Sequence, residues 1–249
     1  MKRKMYTRVQ LCDFLFRLKA SLGNYITIYV TPMSFPHLIN ELSFNSRDAL
    51  YGEIVSSISI KAVTQEIEKH ATGAVVFWQE QGHRHIVVPP FPITGEESIT
   101  GDVDVSFLYD LVGRGYFIGV VLVTWGSYAI GVFDHDNLVK WKVGTGHIHK
   151  KHRKGGSSSK RFARRTEEQK KDFLRRVGNR IDENFSGYRL DYIFFGGNRF
   201  ILKPLMGESK HLESERQRVF TRVLDVRKVD RDLLHHSLEK VTESVVFSF

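Results

Sequence analysis

Apolar and polar positions recur along the chain with two periods, and the switches between them mark out the elements. Leu11, Phe14, Leu15 and Leu18 share one face of a helix over residues 8–20. Asn24–Val30 (NYITIYV) then alternates as a strand does. Residues 46–70 predict a second helix, and Ala74–Trp78 a short apolar strand that pairs with Ile86–Val88 across Gly82. Residues 87–102 hold three of the six prolines and carry no periodicity, which predicts a crossing between domains with a boundary near 105–115. Beyond it, Phe117–Val123, Tyr128–Asp134 and Leu138–Val143 are β-rich runs separated by Trp125-Gly126-Ser127 and His135-Asp136-Asn137, the pattern of an antiparallel meander. From Ser159 to Phe185 the residues Phe162, Phe173, Val177, Ile181 and Phe185 fall at helical spacing, with Gly187 as the stop. Tyr192–Phe195 and Arg222–Val226 read as strands, and Asp230–Val245 as a closing amphipathic helix. No internal repeat is visible. The expectation is an α/β protein of two domains, an α+β domain over 1–112 and a second domain over 113–249.

Composition narrows the class. Of 249 residues, 41% are hydrophobic and 26% charged, which is globular usage. No run approaches the roughly 18–20 apolar residues of a membrane span, and the charged N-terminus lacks the apolar stretch of an export signal. The expectation is a cytoplasmic protein. With Cys12 as the single cysteine, an intrachain disulfide, a thiolate zinc cage and a C-x-x-C pair are excluded; Cys12 itself lies on the apolar face of the first helix and is expected to pack there.

Charge changes the picture more. The net charge is +9, yet residues 150–180 alone carry thirteen basic and three acidic residues, so the rest of the chain sums to −1. A near-neutral protein with one intensely basic segment points to a polyanionic partner, a nucleic acid or an anionic membrane. The basic helix has too thin an apolar face for membrane anchoring, which leaves nucleic acid.

The centre of that segment, residues 147–165, reads HIHKKHRKGGSSSKRFARR. Gly155-Gly156 offers a backbone that approaches a partner without side-chain interference. Lys150, Lys151, His152, Arg153, Lys154, Lys160, Arg161, Arg164 and Arg165 flank it with cations suited to phosphates. His147, His149 and His152 have a spacing open to metal binding or acid–base chemistry, but no cysteine completes a site and the basic loop repels a cation; phosphate contact is the favoured role. Asp134 and Asp136 admit a metal-nuclease reading as well as the turn chemistry of a hairpin, and the turn is favoured. No metal and no cofactor is expected.

The segment resembles the tip of the central domain of eukaryotic and archaeal class I peptide-chain release factors, K-x-R-x-G-G-Q-S-x-x-R-F. Lys151, Arg153, Gly155, Gly156, Ser158, Arg161, Phe162, Arg165 and Glu168 fall in that pattern. The resemblance extends through the meander and the later strands, and more weakly into the N-terminal domain. It implies a mixed, ribonuclease-H-like sheet carrying a projecting Gly-Gly loop, at 153–159, and a long basic helix. It also implies a ribosomal partner, the peptidyl-transferase centre of the large subunit with its rRNA and peptidyl-tRNA, and a catalytic tip at Gly155, Gly156, Ser157 and Ser158.

Two departures matter. Ser157 stands where the family has glutamine, and no glutamine follows until Gln169. The sequence ends after the central domain, so the third domain and its GTPase-docking surface are expected to be absent. No stop-codon-reading loop is recognisable around Ser59–Lys61. The resemblance therefore points to the codon-independent, ribosome-quality-control branch, which frees stalled nascent chains by hydrolysing the peptidyl-tRNA ester or by cleaving the tRNA near its end. The alternatives are a catalytically silent ribosome- or tRNA-binding factor and a tRNA 3′-end endonuclease.

Overall fold

The computed structural model describes residues 1–37, 49–148, 157–226 and 228–249. In chain order the first elements are β1 (Lys2–Tyr6), α1 (Arg8–Lys19), β2 (Tyr25–Val30), α2 (Ala49–Ile58), α3 (Lys61–His70), β3 (Ala74–Trp78), β4 (Arg84–Val88), β5 (Glu97–Gly101) and α4 (Ser106–Gly113). Then come β6 (Phe117–Thr124), β7 (Ser127–Asp134), β8 (Asn137–Thr145), α5 (Ser157–Phe185), β9 (Tyr192–Gly197), α6 (Arg199–Met206), α7 (Lys210–Ser214), β10 (Val219–Leu224), α8 (Arg231–Thr242) and β11 (Ser244–Ser248). Contacts divide the chain into two units, Met1–Arg114 with Glu239–Phe249, and Gly115–Leu238.

The first unit is built on an antiparallel sheet in the order β1-β11-β4-β3-β2-β5. Its β2 and β3 read as continuous apolar runs because both of their faces are buried. On one face Ile54, Ile58, Val63 and Ile67 of α2 and α3 pack against Ile28, Val76, Trp78, Ile86 and Phe247. On the other, Phe14 of α1 meets His85 and Phe107 of α4 meets Tyr29. A capping box starts α1: the Gln10 N–H donates to Thr7 Oγ1 and the Thr7 N–H to Gln10 Oε1.

Three features of this unit differ from the sequence reading. Residues 46–70 do not form one helix: Ile60 leaves helical geometry at ψ 122°, so α2 ends and α3 begins, while 46–48 lie outside the described residues. The proline-rich stretch does not cross between domains, because it leads into β5, which pairs with β2 inside the first unit. The expected closing helix over 230–245 stops at Thr242, and the remaining residues form β11 between β1 and β4. The second unit therefore does not run to residue 249 as expected; the chain returns to the first sheet. Val241 and Val245 continue a helical spacing in sequence, yet both edges of β11 find strand partners, and the pairing decides.

The second unit holds a mixed sheet in the order β10-β9-β6-β7-β8. β6, β7 and β8 form the antiparallel meander, and β9 and β10 run parallel to β6, which is the ribonuclease-H-like arrangement. Here β10 begins at Val219 rather than at Arg222. Across one face lies α5, burying Phe173, Leu174, Val177, Ile181 and Phe185 against Val121, Val123, Tyr128, Ile130 and Val132. Two close approaches seat it. A Cβ at Gly119 would come within 2.9 Å of Phe185, and one at Gly178 within 2.2 Å of the Glu208 carbonyl oxygen. The helix ends where the sequence placed its stop, with Gly187 at φ +86°.

Candidate nucleic-acid interface

Helix α5 has 29 residues, about 43 Å at 1.5 Å per residue. Only its C-terminal half has a sheet beneath it. Arg161, Phe162, Ala163, Arg164 and Arg165 are all exposed, and five consecutive residues cover more than a full turn, so the helix has no buried face there. Phe162, which its spacing assigns to the core face, is 44% exposed because the sheet does not reach it. Towards the body, Lys170 Nζ sits 5.2 Å above the Trp125 ring. The helical backbone over residues 157–169 spans roughly 20 Å, and its exposed stretch, 161–165, is the arm referred to below.

The root of the arm is held firmly. Trp125 packs near Phe173 at 6.2 Å between centroids. The Gly146 N–H donates to the Gly126 carbonyl, tying the end of β8 to the β6–β7 turn. A Cβ at Gly146 would lie 2.6 Å from the Phe173 ring, so the strand passes directly against the helix. Farther along, the Asp182 carboxylate accepts from Ser209 Oγ and from the backbone N–H groups of Lys210 and His211, fastening α7 to α5.

The charge on α5 is not uniformly available. Arg164 pairs with Glu168 at 3.1 Å, Lys170 with Glu167 at 2.7 Å, Arg175 with Asp172 at 2.8 Å, and Arg180 with Glu183. Such exposed pairs at i,i+3 and i,i+4 stabilise the helix by a few tenths of a kcal/mol each. Among the described residues, no ion pair engages Arg161, Arg165 or Lys171. The cations nearest the tip are therefore those left to meet an outside anion.

The described part of α5 starts at Ser157, two residues before the start read from sequence, so Ser157 and Ser158 are helical rather than loop residues. The first backbone N–H groups of a helix lack internal acceptors and sit at the positive end of its dipole. Lys150, Lys151, His152, Arg153, Lys154, Gly155, Gly156 and His149 lie outside the described residues, and only the backbone of Lys160 is described. His147 is exposed at the end of β8. Among the described residues no group of three or more His, Cys, Asp or Glu could hold a metal ion. Asp134 is bonded to His135 at 2.6 Å, within the β7–β8 turn. Cys12 is half-buried, and burial pushes its thiol pKa up. No helix among the described residues is long and apolar enough to cross a membrane.

In sequence, Trp125 reads as a turn residue and Phe200 carries no signal. Both are exposed aromatics at the arm's end of the sheet, and nothing in the local pattern of either signals that the fold brings these ends together.

A ribonuclease-H-like sheet with a basic helical arm defines the class, and the sequence match names the family. The family described as the Actinobacteria/chloroflexi VLRF1 release factor matches residues 117–246. That span exceeds half of the chain, and the chain belongs to this release-factor family. Among solved structures it is similar to the archaeal translation termination factor aRF1, at 16% identity over 95% of this chain and 70% of that one, with a TM-score of 0.40. A structure described as an archaeal protein matches at 16% identity over 94% and 70%, with a TM-score of 0.37. Pelota from Archaeoglobus fulgidus matches at 10% identity over 93% of this chain and 61% of that one, with a TM-score of 0.32. No curated protein matches the sequence.

Proposed function

We propose that this protein is a codon-independent release factor of ribosome quality control, which frees stalled nascent chains from peptidyl-tRNA. The observation that carries the reading is the arm: a helix exposed on every side over residues 161–165, where Arg161 and Arg165 have no ion-pair partner among the described residues, a few residues after the Gly155-Gly156 sequence. In a member of a release-factor family, that arm suits entry into the peptidyl-transferase centre of a ribosome or large subunit, where rRNA phosphates meet the cations. The cytoplasm is the compartment this role requires.

The chemistry needs little from side chains. Water adds to the carbonyl carbon of the peptidyl ester, and the oxyanion that forms is stabilised by the backbone N–H groups of Gly156–Ser158. Collapse of the intermediate breaks the bond to the tRNA 3′ ribose oxygen, which takes up a proton, leaving a peptide acid and an intact tRNA. Donors aimed at a developing oxyanion contribute on the order of 10²–10³ in rate each, and positioning of the water adds to it. The Ser157 or Ser158 hydroxyl holds that water in place of the family's glutamine amide.

The serine at position 157 also favours a second reading, in which the factor occupies the site without catalysis. Stalled ribosome–nascent-chain complexes carrying labelled peptidyl-tRNA separate the two, with wild type compared against Gly155→Ala/Gly156→Ala. Wild type is expected to free the peptide and the variant to fail. An intact tRNA 3′ end identifies ester hydrolysis, and a shortened one identifies tRNA cleavage. Binding by both proteins without release by either would refute the enzyme and leave the silent occupant.

A further inference from the structure

Strands β6 and β9 run parallel and finish together, at Val123 and Gly197 in register. β8 runs in the same direction and ends at Thr145 beside the β7 start. In open α/β sheets the space beyond the carboxyl ends of parallel strands is where ligands collect. In this protein that end is also the root of the arm, and it carries two exposed aromatic residues, Trp125 at 37% and Phe200 at 81%.

Their placement is fixed by the backbone. Gly197 takes φ +101°, and a Cβ there would lie 2.2 Å from the Val123 carbonyl oxygen, so β9 leaves the sheet close against β6. The Asn198 N–H donates to that same carbonyl at 3.0 Å, and Asn198 Oδ1 caps α6 by accepting from the Phe200 N–H at 3.0 Å. Phe200 therefore stands in the first turn of α6, two residues from a bond to β6, while Trp125 stands two residues beyond the same point on β6. The inward positions of α6, Ile201 and Leu205, do the packing, and Phe200 adds nothing to the core.

The groups around these rings are cationic. Lys170 lies over Trp125. Arg199 and Lys203, one helical turn apart, are exposed on α6 and make no ion pair among the described residues. Exposed rings beside Arg199 and Lys203, which have no ion-pair partner among the described residues, match an unpaired nucleic-acid strand, whose bases stack and whose phosphates need countercharge. An apolar protein partner would need a contiguous apolar patch, and here the exposed apolar groups are separated by charges.

We propose that this end of the second sheet is an RNA-binding platform separate from the arm's tip. An unpaired RNA strand stacks a base on Phe200 and another against the exposed part of Trp125, and its phosphates meet Arg199 and Lys203. The inference rests on the reading that the protein's partner is RNA, and it adds a second, aromatic contact to the electrostatic one.

The test uses the full chain and a short, unstructured, fluorescently labelled RNA, with affinity read by anisotropy across a salt series. Phe200→Ala is expected to weaken binding about tenfold with the salt dependence unchanged, and Phe200→Trp to bind as wild type. Arg199→Gln/Lys203→Gln is expected to lower the slope of log affinity against log salt by about 1.4. Wild-type affinity in Phe200→Ala, alongside a loss in an Arg161→Gln/Arg165→Gln variant, would overturn the platform while leaving the RNA reading in place. Failure of the wild type to bind RNA in a salt-dependent way would overturn both. Phe200 is almost wholly exposed, so its replacement leaves folding intact, as circular dichroism would verify.

Discussion

His85 is held neutral by its surroundings. Its ring receives the edge of Phe14 at 5.0 Å and 89°, and its Nδ1 lies 2.9 Å from Ser248 Oγ. Burial first, and then the neighbouring charge of His83, push its pKa from 6.5 down to about 4. In the unfolded chain the same imidazole takes a proton near 6.5, so the unfolded state binds more protons between those values. Stability is therefore complete above pH 6.5 and is lost as pH falls towards 4. Thermal melts of His85→Leu are expected to show a flatter decline across that window than the wild type. The contribution of a residue like this is invisible in sequence, where His85 is one of eleven histidines in the chain. The histidines the sequence does draw attention to, His147, His149 and His152, stand out only through their spacing in the basic segment.

At the scale of elements, the arm divides its own cations into two groups. Arg164 spends its charge on Glu168, whereas Arg165, the next residue, has no acidic partner among the described residues. Counterion release scales with the number of phosphates a protein neutralises, at about 0.7 per contact for single strands and 0.9 for duplex. Arg165→Gln is thus expected to reduce the salt slope of ribosome binding by nearly one unit and Arg164→Gln by less, measured by co-sedimentation over a salt series. Neither should change the melting temperature by more than about a degree, since exposed pairs contribute little. Much of this element was legible in sequence. Phe173, Val177, Ile181 and Phe185 announce the helix and its buried face, and the run of Arg and Lys announces the charge. The start at Ser157 and the exposure of Phe162 were not, because helical spacing records which residues share a face and not how far the neighbouring sheet extends.

For the molecule as a whole, the least local feature is β11. Four of its five residues pair with β4 on one side and all five with β1, the first strand of the chain, on the other. Phe247 is fully buried there, in the cluster that includes Trp78 and Ile86. Phe247→Ala is expected to cost roughly 3–5 kcal/mol, read as a lower midpoint in denaturant unfolding and as faster hydrogen exchange at the amides of β4. In the second unit, the close approach at Gly178 and the Asp182 bonds fix α5 against its neighbours.

The sequence by itself determined what is encoded within single elements. The meander follows from three apolar runs with turn residues between them, and the long basic helix from one apolar stripe among charges. Tertiary structure alone decided what depends on partners far along the chain. β1 reads Lys-Arg-Lys-Met-Tyr, an edge strand whose residues are nearly all exposed, and exposed strands leave no apolar alternation to detect. β11 prolongs the apolar spacing of the helix before it and is made a strand by hydrogen bonds to residues some 160 and 240 positions away. Trp125 and Phe200 come to the same end of the second sheet only because β6 and β9 end side by side. Periodicity reports burial around one axis; which edges pair, and which ends converge, is set by the free energy of the assembled sheet.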